Sequence, residues 1–388
     1  MSTARPLGVY IHVPFCRTHC PYCDFYTYPS GRGRDADFVS ALLCEIELSR
    51  HRLDVAGHEV NSIYFGGGTP SLLSDAQIGD VLTAARHMFS QSDSAEITLE
   101  MNPEDVTPAR LDDLAALGVN RISLGVQSLR QSVLNDLGRV HTVAQARTSL
   151  ETVSGHRNWN ADLMFGWAGQ TIADLERELD ELLAYEPGHV SLYELTIEPR
   201  TRFGVLAAQG RLETVDADRQ AELYLSAVEI LEANGLRQYE VSNFACEDRR
   251  SRHNLACWRR QPYIGLGPSA CSQLWSRRTQ NTRSLVTYLT RLAGRDTPVT
   301  FVEVLTPAME HVERIWLGLR TCDGVSRDLF GKHSQNVLDK LVDENLAINR
   351  PDQSYALSAN GMAMADDIVG RILLTETQTN SIPRHLSY

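Results

Sequence analysis

Two hydrophobic rhythms alternate along the first 240 residues. Short β-branched or aromatic runs recur at 9–13 (VYIHV), 62–66 (SIYFG), 96–101 (EITLEM), 120–126 (NRISLGV), 159–165 (WNADLMF) and 189–197 (HVSLYELTI). Between them, near 36–50, 74–89, 107–117, 142–153, 171–185 and 216–234, the pattern is amphipathic and predicts helices. The helix near 107–117 also has its own punctuation: Thr107 as N-cap, Pro108 behind it and Gly118 as the stop. Six strand–helix repeats in order predict parallel strands joined by right-handed crossovers. An α/β fold follows, closing as a doubly wound sheet or as a partial or complete barrel.

The polar residues gather where these strands end. Strand two runs into Gly66-Gly67-Gly68-Thr69-Pro70, three into Glu100-Met101-Asn102-Pro103, four into Gln127-Ser128, five passes Asp162 and six reaches Glu194. Parallel α/β folds place ligands at the carboxyl ends of their strands. This file therefore predicts the lining of one site. The plainer alternatives are that Glu100 caps the turn after it and that Asp162 satisfies a loop.

After residue 240 the rhythm changes. Residues 241–300 are rich in Arg, aromatics and Gly and read as connecting segments. Helices are expected at 306–319, 325–332 and 334–345, then a hairpin over 346–361 and a last helix at 359–373. Three helices and a hairpin suggest a small winged-helix-like C-terminal domain. The chain thus divides into 1–240, 241–300 and 301–388.

Composition narrows the chemistry. The basic residues number 37 against 49 acidic ones, a net charge of −12 that argues against nucleic acid as a partner. Residues 301–388 are themselves acidic on balance, so a DNA-reading wing is not expected. Only Lys332 and Lys340 are lysines, which excludes Schiff-base chemistry and a P-loop from everything before residue 332. Arginine supplies the remaining positive charge and suits planar capture of carboxylate or phosphate. No apolar run is long enough to cross a membrane, and the N-terminus lacks the pattern of a secretory leader, so a cytoplasmic protein is expected.

Three of the eight cysteines crowd into one octapeptide, Cys16-x3-Cys20-x2-Cys23, just after the first strand. In a cytoplasmic chain such a triplet points to a metal site. Three thiolates are too few for a closed zinc site unless His12 or His19 joins them. They suit a [4Fe–4S] cluster with one iron left open to a small chelating ligand.

The triplet, with Tyr22 before its third cysteine, resembles the radical S-adenosylmethionine (SAM) superfamily. There the amino and carboxylate groups of SAM chelate the open iron, and reduction cleaves SAM to methionine and a 5′-deoxyadenosyl radical. YIHVPFC, PYCDF, YFGGGTPSLL, LEMNPED, RISLGVQS, GRVH, DLMFGWAGQT, YEVSNFA, RHN and GLGPSA extend the likeness over about residues 7–375. They resemble the branch that holds the oxygen-independent coproporphyrinogen III dehydrogenase, HemN, and the haem chaperone, HemW. The resemblance implies a partial (β/α)6 TIM-like radical SAM barrel in 1–240. Cys16, Cys20 and Cys23 would be the cluster ligands. Tyr10, Tyr22, Gly67, Gly68, Thr69, Glu100, Gln127, Arg139 and Asp162 would bind SAM.

The two relatives imply different functions, and three features lean toward the chaperone. The dehydrogenase carries a fourth cysteine two residues after the third, where this chain has Phe25. It also has a longer arm before the cluster; here only 15 residues precede Cys16. The chaperone has a His-Asn-x-x-Tyr-Trp haem motif, matched by His253-Asn254-Leu255-Ala256-Cys257-Trp258 except for Cys257. The expectation is a haem chaperone in which His253 and Trp258 bind haem and an acceptor protein receives it. A low-potential electron donor is needed if SAM is cleaved. Conversion of coproporphyrinogen III to protoporphyrinogen IX is the alternative. Arg249, Arg250, Arg252, Arg259 and Arg260 flank the motif and would suit haem propionates; the plain reading is a solvated loop with a hydrogen-bonded histidine.

Overall fold

A computed structural model describes residues 4–30, 33–52, 55, 57–156 and 158–379. Six parallel strands lie side by side in chain order: β1 (Arg5–Val13), β2 (His58–Gly67), β3 (Gln91–Met101), β4 (Arg121–Gln127), β5 (Trp159–Phe165) and β6 (His189–Glu194). The helices between them are α1 (Asp35–Arg52), α2 (Asp75–Met88), α3 (Pro108–Leu117), α4 (Val143–Ser154) and α5 (Ile172–Leu183), with α6 (Ala217–Ala233) after β6. All six strands and all six helices expected from the pattern are present. The architecture is the α/β, partial-barrel class that the sequence implied.

Local chemistry fixes the helix starts. Ser74 with Gln77, Thr142 with Gln145 and Thr171 with Asp174 form reciprocal capping boxes. Thr107 caps α3, and Gly118 ends it in the left-handed region, with φ of 101°. Each such cap is worth about 1 kcal/mol.

Alternation along the strands decides what faces where. Leu7, Val9, Ile11 and Val13 of β1, with Ile63 and Phe65 of β2 and Ile97 and Leu99 of β3, join one hydrophobic cluster with the helices. The residues between them, at odds with that parity, point to the other face of the sheet: Tyr10, His12, Ser62, Tyr64, Thr98, Glu100, Ser123, Asn160 and Asp162. The concave face of the sheet is therefore polar by construction.

The region read as connecting segments is part of this sheet. β7 (Arg237–Glu240) and β8 (Asn243–Ala245) extend it beyond β6. On the other flank β9 (Tyr263–Leu266) pairs parallel with β1, followed by antiparallel β10 (Cys271–Leu274), β11 (Arg277–Asn281) and β12 (Val299–Val304). Twelve strands result. Most of these strands are only three to five residues long, and β7, β10 and β11 carry Arg, Gln or Ser in place of an apolar run, so their signal is weak. The short helix α7 (Arg252–Trp258) lies between β8 and β9.

The C-terminal part packs helices Pro307–Gly318, Lys332–Asp343 and Ala365–Thr379 against a three-stranded antiparallel sheet. Its hairpin, Ala347–Asn349 with Ser354–Leu357, is where it was expected. The helix expected at 325–332 is instead a two-residue strand, Val325–Ser326, and one 3-10 turn. Val325 is drawn into pairing with Tyr355, which outweighs a helical propensity of only two turns.

Candidate functional site

Two adjoining cavities open at the carboxyl ends of the strands. The first, about 580 Å³, is lined by Cys16, Cys20 and Cys23 and by Gly67, Gly68, Thr69, Glu100, Gln127, Arg139 and Asp162. Tyr22 is on its wall as well. Every residue expected around cluster and SAM, Tyr10 excepted, is thus in one cavity. Ser123, Asn102, Met164, Tyr193, Glu194 and Glu198 are among the other wall residues, unforeseen from sequence apart from Glu194 and Asn102 as strand ends.

The glycine turn makes room by having no side chains. A Cβ on Gly67, whose φ is 107°, would lie 2.4 Å from His12 Nδ1. One on Gly68 would lie 2.6 Å from the Phe15 carbonyl oxygen. Backbone N–H groups of Gly68 and Thr69 donate instead to Val13 and Phe15, which ties this turn to the cysteine loop. Any side chain here would push the two apart.

The cysteine loop is clamped from its other side. Arg17 forms a two-pronged ion pair with buried Asp105 and also donates to Glu104 at 3.3 Å. Ser71 Oγ donates to the same Asp105 carboxylate at 2.6 Å. Thr69 Oγ1 lies 3.6 Å from Cys16 Sγ and Arg139 Nη1 lies 3.9 Å from Cys20 Sγ. Burial pushes the Cys16 thiol up to about 11 and raises that of Cys23. The Arg139 Nη2 donates to Asn102 Oδ1 at 2.7 Å and its Nε is buried with no partner among the described residues.

Glu100 and Asp162 are half-buried in the wall. Tyr64 donates to Glu100 at 2.7 Å; Asn160 Nδ2 and Ser123 Oγ donate to Asp162 at 2.9 and 3.2 Å. Burial pushes Glu100 up to about 7 and Asp162 up to about 6, the hydrogen bonds opposing it in part. Neither residue caps a helix. Gln127 sits in the left-handed region, with φ of 64°, held by the Glu178 carboxylate, which accepts from Ser128 Oγ and the Leu129 N–H just after it.

The second cavity, about 680 Å³, shares His19, Asp24, Phe25, Thr27 and Tyr193 with the first. His253 and Cys257 both line it, because residues four apart on α7 lie only about 40° apart around a helix. Trp258, five residues from His253, is turned about 140° away and lines neither cavity. Tyr10 lines this second cavity as well, stacked on Tyr64 at the wall between the two. It lies six residues before Cys16, up to about 20 Å along an extended chain, and its hydroxyl is taken up by His12 Nδ1 at 3.1 Å.

His253 is buried, with Nδ1 3.0 Å from Ser62 Oγ, and its ring stacks on Tyr64 and Tyr10. Among the described residues nothing hydrogen-bonds its Nε2. Burial pushes the imidazole down to about 4, so it is neutral, and pushes the Cys257 thiol up to about 11.

One sequence expectation fails here, and one alternative that the sequence left open closes. The arginines around α7 do not form a free basic patch. Arg259 pairs with Asp323, Arg260 with Glu313 and Arg249 with Asp248; Arg252 donates to the Ser94 carbonyl, and Arg250 lies over the Tyr239 ring. A chain with net negative charge offers carboxylates close at hand. His12 is no metal ligand either: Nε2 donates to the Tyr26 carbonyl at 3.0 Å and Nδ1 accepts from Tyr10. Among the described residues, no three His, Cys, Asp or Glu side chains converge as one bound metal ion requires. No helix of the described residues is long and apolar enough to cross a membrane.

The family model described as the radical SAM superfamily matches residues 10–182. The heme chaperone HemW of Bacillus subtilis is 33% identical over 94% of this chain and 99% of its own length. That of Escherichia coli is 39% identical over 70% of this chain and 71% of its own. Among solved structures, the coproporphyrinogen III oxidase HemN of Escherichia coli superposes with a TM-score of 0.79 at 21% identity, covering 95% of this chain and 90% of that one. At that identity the likeness to HemN speaks for the fold.

Proposed function

The chain belongs to the HemW family within the radical SAM superfamily, and from that membership we propose that it is a haem chaperone, binding haem and passing it to an acceptor protein. The observation that carries this reading is the second cavity. It is large enough for a ligand of that class, abuts the cysteine site, and presents a neutral imidazole with an unengaged Nε2. A histidine fixed through its other nitrogen, here by Ser62, is a well-oriented axial ligand. The neighbouring Cys257 is held as a neutral thiol, which makes it the poorer donor. Trp258, turned away from this cavity, then does not stack on haem.

The first cavity fits the group its family implies. Three thiols on one loop, a neighbouring guanidinium and a turn with no side chains suit a [4Fe–4S] cluster with SAM beside it. Cys16, Cys20 and Cys23 would hold the cluster. Glu100, Gln127, Arg139, Asp162, Tyr22 and the Gly67-Gly68-Thr69 turn would hold SAM. When bound, the pair supplies one-electron chemistry, and a low-potential donor would be needed for it. Arg139 balances the negative charge of the thiolates, and Arg17 with Asp105 keeps the loop in place. Residues 1–240 form the core of this unit, 241–300 add the haem-bearing wall and 301–388 form the appended domain, and the protein would work in the cytoplasm.

Phe25 stands exposed where the dehydrogenase has its fourth cysteine, which favours carriage over decarboxylation. The deciding experiment supplies the reconstituted protein with either haem and an apo-acceptor or with coproporphyrinogen III, SAM and reductant. Haem transfer without protoporphyrinogen formation is expected. Protoporphyrinogen formation by a chain that binds no haem would replace this reading with the dehydrogenase.

A further inference from the structure

We propose that Arg283 is the carboxylate anchor of the second cavity, recognising the propionates of a flat porphyrin; this rests on the haem-carrier reading above. The rings of Tyr10, Tyr26, Tyr64, Tyr263 and His253, among others, give the cavity flat, weakly polar walls. Arg283 is the one arginine among the residues lining it. Unlike Arg259 and Arg260, it has no carboxylate within ion-pair distance among the described residues.

The other charged or titratable groups on these walls do not cancel it. Asp24 pairs with Arg200 at 3.2 Å. His12 and His253 are lowered and Cys257 and Cys271 raised by burial, so all four are neutral. His19 is exposed and engaged with Thr27 at 2.9 Å. The cavity therefore presents aromatic faces and one unopposed guanidinium, which is the complement of a flat, apolar ligand bearing a carboxylate.

The backbone carrying Arg283 is held firmly. Asn281 Nδ2, two residues earlier, donates to buried Glu45 and to the Gly267 carbonyl. Ser284, next in the chain, caps the helix Leu285–Ala293, whose first N–H donates to the Tyr26 hydroxyl at 2.9 Å. Binding then needs no ordering of the backbone here, only of the exposed Arg283 side chain itself.

The test compares haem with haem dimethyl ester, whose propionates cannot pair with a cation. Wild-type protein, titrated by its Soret absorbance, should bind haem about ten- to a hundred-fold more tightly than the ester. Arg283→Gln should bring haem down to the ester's affinity and leave ester binding unchanged, which also reports an intact fold; Arg283→Lys should restore part of the preference. If Arg283→Gln keeps the wild-type preference for haem, the anchor assignment is wrong while the carrier reading stands. If wild-type protein binds neither ligand, both fall.

Discussion

The Tyr64 hydroxyl donates to Glu100 Oε1 at 2.7 Å across the wall between the two cavities. The same Tyr64 ring stacks on His253, with centroids 5.2 Å apart. Gly66 permits the contact, since a Cβ there would lie 2.8 Å from the Tyr64 ring and 3.0 Å from Glu100. Tyr64→Phe should keep the stack and remove the bond. Glu100 then loses a donor that favours its charged form, and SAM affinity at neutral pH should fall several-fold while haem binding holds. Equal SAM affinity in calorimetric titrations of the two proteins would leave Tyr64 as packing alone.

SAM binding should also depend on pH. Glu100 is pushed up to about 7 and Asp162 to about 6, chiefly by burial. A cationic ammonium or ribose hydroxyls are held best by the carboxylates, so affinity should climb between pH 6 and 8. Stability runs the other way. The folded chain holds these protons more tightly than the unfolded one, so their contribution is largest below the ordinary carboxyl range and is lost as pH rises toward 7. Glu100→Gln should flatten the thermal-unfolding profile over that window. Asp162→Ala should weaken SAM binding about ten- to a hundred-fold with the cluster intact. A pH-independent SAM affinity would sink the role given to both carboxylates.

The barrel and its site were legible for a physical reason. Strands covered by helices on one face alternate apolar with polar residues, and the strand ends carry Gly, Glu, Gln and Asp in sequence, so chain order alone lined up the first cavity. The second cavity was not legible. It joins β1, β2, β6 and the cysteine loop to α7, β9 and β10, segments remote in sequence, and β9 is placed beside β1 only by the tertiary fold. Tyr64 and Tyr193 show the limit in detail: both lie inside strands that were recognised, yet only the tertiary fold tells that Tyr64 lines the second cavity and Tyr193 both. The arginines failed for a different reason, because sequence shows a cluster of charge and hides the partners that neutralise it.

The two grips on the cysteine loop should separate in experiment. Cys20→Ala removes a ligand, and anaerobic reconstitution should then yield no cluster absorbance. Arg17→Ala removes only the ties to Asp105 and Glu104. With the guanidinium partly exposed, the loss is modest, about 1 kcal/mol, so the cluster should assemble but be stripped by a chelator several-fold faster. Wild-type protein should carry about four irons and four sulfides per chain; one tightly held zinc without sulfide would overturn the cluster assignment. An Arg17→Ala protein as resistant as wild type would show that the glycine turn alone holds the loop.

The haem ligand is the sharpest remaining test, because α7 offers two donors to one cavity. His253 is neutral and keeps Nε2 unengaged, and Ser62 fixes the ring through Nδ1. Cys257 lies on the same helix face, but burial disfavours its thiolate. His253→Ala should therefore shift the Soret band and weaken haem binding at least ten-fold, with iron–sulfur content unchanged. Ser62→Ala should weaken binding less, since it frees the ring without removing the ligand. Cys257→Tyr should leave the spectrum as it is. A thiolate-type spectrum in wild-type protein that disappears in Cys257→Tyr would transfer the ligand role from imidazole to thiol.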